Sequence, residues 1–102
     1  MQQYDVIDNP IASMRADVPY LVSLQSHHLR EIDSVVVAPV VVDGLRPLSS
    51  LDVPVHFADR LMVVAIAEMS SMFRPTASRT RGSLAEHHDD IRRALDRLFT
   101  GF

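Results

Sequence analysis

Cysteine, lysine and tryptophan are all missing from this 102-residue chain, and each absence removes a class of chemistry. Without cysteine there is no disulfide, no thiolate nucleophile and no thiolate metal site. Without lysine all 10 basic residues are arginines, planar forks suited to carboxylates rather than mobile point charges. Three glycines, at 44, 82 and 101, supply no glycine-rich loop for a phosphate. Excess positive charge is lacking too. Thirteen acidic residues give a net charge of −3, whereas a nucleic-acid binder advertises a basic footprint. The longest apolar runs, 35–42 and 61–67, fall short of the ~18–20 residues that span a membrane. The opening Met1-Gln2-Gln3-Tyr4-Asp5 has no basic patch or apolar stretch of the signal-peptide kind. These features predict a soluble cytoplasmic protein with one domain over 1–102. Hydrophobic residues at 47% are enough for a core, and a chain of this size gains from dimerising.

What is present reads mostly as strand. Residues 4–7 form a short candidate that runs into the turn cluster Asp8-Asn9-Pro10, and 8–19 read as a loop. The stretch 20–26 has the β-branched and aromatic content of a strand. Six valines in 34–42 exclude a helix there, and Pro39 predicts an edge or a bulge. Residues 53–57 and 61–69 read as a strand pair joined by Ala58-Asp59-Arg60. The second is apolar on both faces, as for a central strand or one covered by a partner. Residues 70–82 read as a connecting loop. Ser83-Leu84-Ala85-Glu86 fits a capping box, and Leu84, Ile91, Leu95 and Leu98 then share one helical face. The spacing predicts a helix over 83–99, an Asp89–Arg93 pair on its surface and Gly101 as its C-terminal cap. The order of elements is a small, mainly antiparallel sheet packed by one terminal helix.

No constellation of side chains points to catalysis. Five histidines (27, 28, 56, 87 and 88) invite a metal, but adjacent pairs diverge on a strand or a helix, and no H-E-x-x-H spacing occurs. His88 falls on the apolar seam between Leu84 and Ile91, which predicts a core or interface histidine. There is no nucleophile elbow, and Asp89, Asp90 and Asp96 read as a solvated helix face balanced by Arg92, Arg93 and Arg97. The residues predict a binding module with no catalytic residue, metal or cofactor. The aromatic terminus Thr100-Gly101-Phe102 either folds onto the sheet or projects as an anchor.

The order of segments resembles the CcdB family, toxins of plasmid-borne toxin–antitoxin pairs that poison DNA gyrase. The resemblance rests on Met1-Gln2, on the strand Tyr20-Leu21-Val22-Ser23-Leu24-Gln25-Ser26 ending in Gln-Ser, and on Pro54-Val55-His56-Phe57-Ala58-Asp59. It continues in the helix over 84–99, with Asp90-Ile91, Ala94 and Phe99, and in the end Gly101-Phe102. It implies an SH3-like barrel, a curved antiparallel sheet packed by the terminal helix, forming a homodimer that binds the gyrase A subunit and traps cleaved DNA. Carried over by position, the gyrase contacts are Thr100, Gly101, Phe102, Asp96, Asp89 and His88, with Tyr4, His28 and Leu29 from the sheet. The 8–15 loop, with Asp8, Asn9, Ser13 and Arg15, would face a CcdA-like antitoxin, and toxin and antitoxin together would repress their own operon. One departure stands out. Thr100 occupies the position of the family's tryptophan, and loss of an aromatic hot spot commonly costs ~2–4 kcal/mol, on the order of 30–1,000-fold in affinity. Phe99 and Phe102 are the aromatics at hand to replace it. Two alternatives remain open: a CcdB-like protein with lost or redirected gyrase activity that keeps antitoxin binding and autoregulation, and a MazF-like endoribonuclease of the same architecture. RNA cleavage asks for a basic groove and stacking aromatics, which an acidic chain with 6% aromatics does not offer.

Overall fold

A computed structural model describes residues 1–26, 32–74 and 79–101. Among the described residues seven strands, β1 (Asp5–Asp8), β2 (Tyr20–Ser23), β3 (Ser34–Val42), β4 (Asp52–Phe57), β5 (Arg60–Ala65), β6 (Ser70–Phe73) and β7 (Thr80–Ser83), precede one α-helix, α1 (His88–Thr100). All pair antiparallel in the order β4-β5-β3-β2-β1-β7, with β6 also on β3. This is the mainly β, SH3-like half-barrel with a terminal helix. No helix among the described residues is long and apolar enough to cross a membrane.

The valine-rich β3 organises the sheet. One edge pairs with β2, while the other is shared: Val40–Val42 face β5 and Ser34–Val37 face β6. Pro39 therefore sits in the most heavily paired strand, not at an edge or a bulge. Leu24 N–H bonds the Val36 carbonyl, and alternation along an antiparallel pair then turns the Pro39 nitrogen away from β2. It faces the gap between β5 and β6, where no donor is required. The four-residue β6 was read from sequence as loop; it exists because the lower half of β3 offers it an unpaired edge.

Turn chemistry sets the hairpin between β4 and β5. Ala58 (φ 53°) and Asp59 (φ 59°) both adopt positive φ, as a two-residue primed turn demands. Beyond it the sheet curls until its ends meet. Phe57, at the end of β4, lies over Gly82 of β7, so close that a Cβ there would stand 2.8 Å from the ring. The same ring meets Tyr20 edge-on at 5.1 Å. Val6, Val22, Val40, Val55, Met62 and Val64 line the concave face, and Leu84, Ile91 and Ala94 close it, all buried in one cluster.

The strand starting near residue 61 ends at Ala65, earlier than its apolar run predicts, and passes into a 3-10 turn at Ile66–Glu68. Its second face is not left bare. Val63 is 3% exposed, and Leu45 and Leu48 of the 43–51 connection line a small crevice with it. The chain covers this face at Val63 with its own loop, while Leu61, two residues earlier, stays 46% exposed.

The helix also starts later than the capping box suggests. Ser83 belongs to β7, paired with Asp5, and its hydroxyl accepts from Ala85 N–H at 3.0 Å, ahead of a 3-10 turn at Ala85–His87 whose N-cap is Leu84. On α1 itself Arg93 pairs with Asp90 at 2.9 Å rather than with Asp89. Gly101 ends the helix at φ 79°, its N–H bonded to the Arg97 carbonyl, the left-handed cap that glycine favours.

Candidate functional site

At 100° per residue, His88, Asp89, Arg92, Asp96, Phe99 and Thr100 occupy roughly 120° of the circumference of α1. All six are exposed, opposite the buried Ile91 and Ala94. The stripe thus gathers the helix residues singled out above and adds Arg92 and Phe99. Phe99, at 68% exposed, is the most exposed large hydrophobic residue among those described. Thr100 does not project: its hydroxyl donates to the Asp96 carbonyl at 2.6 Å. Among the described residues, the protruding aromatic at this end of the helix is its neighbour, one residue earlier.

Tyr4 joins the other end of the stripe. It takes φ 68°, a costly conformation for an aromatic residue, held by backbone bonds from its N–H to Ser23 and to its carbonyl from Leu84. Its ring stands 6.4 Å from that of His88. Burial raises the phenol pKa above its usual value; Arg92 pulls it down and Asp89 pushes it up. His88 is not buried in the core, one of the two places the apolar seam allowed; it is exposed. Its side chain is 48% exposed, with Nε2 3.1 Å from Asp89 and Nδ1 2.8 Å from the Ala85 carbonyl oxygen. It opens α1, about one turn before Ile91, the first buried residue of that helix. His28, Leu29 and Phe102 lie outside the described residues.

A second site lies around the 8–19 loop, which is built on Asn9. Its side chain is buried at 3% exposed, donates from Nδ2 to the Val18 carbonyl at 3.0 Å and accepts the Ile11 N–H at 3.0 Å. Arg15 Nε donates to the Asn9 carbonyl at 2.6 Å. Asp8 is held by Arg81, Nη2 to Oδ2 2.6 Å, a bond that also raises the arginine pKa. Of the four loop residues singled out from sequence, only Ser13 and Arg15 are exposed. Asp8 and Asn9 shape the loop from within.

Beside this loop the convex face of the sheet forms a groove of about 460 Å³ floored by Leu21, Val37, Pro39 and Val41. Ile11 and Met14 of the loop line it on one side, and Leu45, Arg46 and Glu68 also border it. Arg46 reaches Glu68 at 2.7 Å and Asp52 at 3.3 Å. The hydrogen bond and charge of Glu68, followed by the charge of Asp52, raise the arginine pKa. Sequence reasoning did not find this groove. The available signal was two large apolar residues, Ile11 and Met14, in a loop otherwise of small and charged side chains. Among the described residues no three His, Asp or Glu side chains converge as a metal site would require.

A family model described as CcdB protein matches residues 3–101. No curated protein matches the chain. Solved structures share the fold, two toxins among them. The Mycobacterium tuberculosis toxin MazF-mt6 superposes with a TM-score of 0.71 at 18% identity, covering 96% of this chain and 96% of that one. An Mtb toxin superposes with a TM-score of 0.68 at 22% identity, covering 78% of this chain and 91% of the other.

Proposed function

The chain belongs to the CcdB family, and from that premise we propose that it is the toxin of a type II toxin–antitoxin pair. It acts without catalysis of its own, as a homodimer that binds the gyrase A subunit, traps the cleaved-DNA complex and is neutralised by a CcdA-like antitoxin. The observation that carries this reading is the exposed stripe on α1. It collects Asp89, Asp96 and Thr100 beside an aromatic at 68% exposure, in place of the tryptophan missing from position 100. Exposed aromatics of this kind act as interface anchors. Phe99 takes that role here, because the Thr100 hydroxyl is turned back onto the helix.

The test is gyrase cleavage of supercoiled plasmid in the presence of ATP, with the natural protein, Phe99→Ala and Thr100→Trp. Trapped cleavage by the natural protein, lost in Phe99→Ala at unchanged fold, supports the proposal. Cleavage only by Thr100→Trp means a preserved scaffold with a disabled anchor, which leaves antitoxin binding and autoregulation as its activity. Endoribonuclease action is the competing reading, given a MazF-type fold match. The groove speaks against it, since its one guanidinium is already bound by two carboxylates. Specific cleavage of single-stranded RNA by the purified protein would overturn the non-enzymatic reading.

A further inference from the structure

Burying an apolar groove rewards any apolar segment; the charges at its mouth decide which one. Three ionisable side chains line it: Asp17, Arg46 and Glu68. Arg46 is engaged on both sides, by Glu68 at 2.7 Å and Asp52 at 3.3 Å, so that cluster carries one net negative charge. The Arg46 Nη2 already serves both carboxylates, whose two charges outweigh its one. Asp17 differs from every other carboxylate nearby. Asp8 has Arg81, and Asp52 and Glu68 share Arg46. The Asp17 backbone takes part in the loop, accepting from Val42 N–H at 2.9 Å, but its side chain meets no described partner. Arg15, two residues away, directs its Nε to the Asn9 carbonyl and is not part of the lining. Among the described residues, an apolar floor is thus bordered by uncompensated negative charge, on a protein whose net charge is −3.

We propose that this groove binds a peptide segment of a partner protein that combines apolar side chains with an arginine or lysine, and that Asp17 selects for the cation. The inference rests on the antitoxin reading for the identity of the partner and assigns the chemistry of the segment that neutralises the toxin. Ile11, Met14 and Leu45, each about half exposed in the free protein, grip the apolar side chains, and the cation meets Asp17 at the rim. The volume of about 460 Å³ suits a short segment. A second copy of the chain would need a contact of ~800 Å² per partner, a broad face rather than a groove. Negative potential at the mouth also speeds the encounter with a cationic segment and makes binding salt-sensitive.

A library of random linear peptides displayed on phage, selected on the folded protein, tests this. Counter-selection uses Ile11→Ser/Leu45→Ser, whose half-exposed positions leave folding intact; an unchanged urea midpoint verifies that. Selected peptides are expected to be rich in apolar residues and in arginine or lysine. Synthetic copies should bind Asp17→Asn up to about fivefold more weakly, the range of an exposed ion pair, and Asp17→Arg should select acidic peptides instead. Acidic or charge-neutral peptides, or binding indifferent to Asp17→Asn, would overturn the proposal. So would peptides that bind Ile11→Ser/Leu45→Ser as well as the natural protein, or a change of oligomeric state in that variant, which would give the groove to a second copy. None of these readouts involves gyrase. Groove selectivity without gyrase poisoning would refute the toxin reading alone, and poisoning with a charge-blind groove would refute this inference alone.

Discussion

Replacing Asn9 by alanine tests whether one buried amide holds the loop that walls the groove. Asn9 is 3% exposed and makes two side-chain bonds, to the Val18 carbonyl and from the Ile11 N–H, each 3.0 Å. Truncation removes both and leaves their backbone partners without a mate. A typical hydrogen bond contributes about 1 kcal/mol net, and a stranded buried group costs about 1–3 kcal/mol. Water reaching the partly buried partners recovers some of this, so the expected loss is about 2–3 kcal/mol. That is a large part of the ~5–15 kcal/mol of a whole domain, and near 100 residues it lowers Tm by roughly 10–20 °C. The assay is urea unfolding followed by far-UV circular dichroism, with amide exchange at Ile11 and Arg15 as a local probe. Asn9→Asp separates the two bonds, since it keeps the acceptor for Ile11 N–H and loses the donor to Val18. It should also be destabilised, and more so as pH rises and the buried carboxyl ionises. A loss below about 0.5 kcal/mol in Asn9→Ala, the range of ordinary surface changes, would refute the reasoning.

Two further changes probe the closure of the sheet and the aromatic beside the helix. Gly82→Ala places a Cβ 2.8 Å from the Phe57 ring and should cost about 1–3 kcal/mol, the range of an overpacked core. Phe57→Leu should relieve part of that, and strict additivity in the double-mutant cycle would count against the contact. For Tyr4, burial raises the phenol pKa above 10.0. The folded state therefore favours the protonated form: its stabilisation is complete below the unfolded value and is lost as pH rises through the folded one. Urea midpoints should fall between pH ~10 and the upper limit of the titration, and Tyr4→Phe should remove that part of the alkaline slope. An identical slope in the variant would place the ionisation elsewhere.

How much was legible in the residues depended on how local the cause was. The strand over Ser34–Val42 follows from its own β-branched side chains, and the Gly101 cap follows from its freedom at positive φ, so both were readable in advance. Ser70–Phe73 was not, because its serines carry no strand signal and it forms only by pairing with β3. Ser83 has the chemistry of a helix cap, yet pairing with Asp5 draws it into β7. His88 becomes the first residue of α1 and is exposed there. The family resemblance supplied the members of the helix stripe, while their common face and the prominence of Phe99 came from where α1 begins and ends.

Composition alone established an acidic, cysteine-free chain without lysine, rich in β-branched strands and ending in an amphipathic helix. These properties depend on residue type and on spacings of a few positions. Only the folded chain decided that Pro39 lies in mid-sheet, at the gap between β5 and β6, and that the convex face holds a groove. It also decided which carboxylates are neutralised. Arg81 meets Asp8 across 73 positions and Arg46 meets Glu68 across 22, while Asp17 faces the groove without a described partner. Ion pairing acts through a few ångströms of space, and the number of residues between partners carries no information about it until the chain has folded.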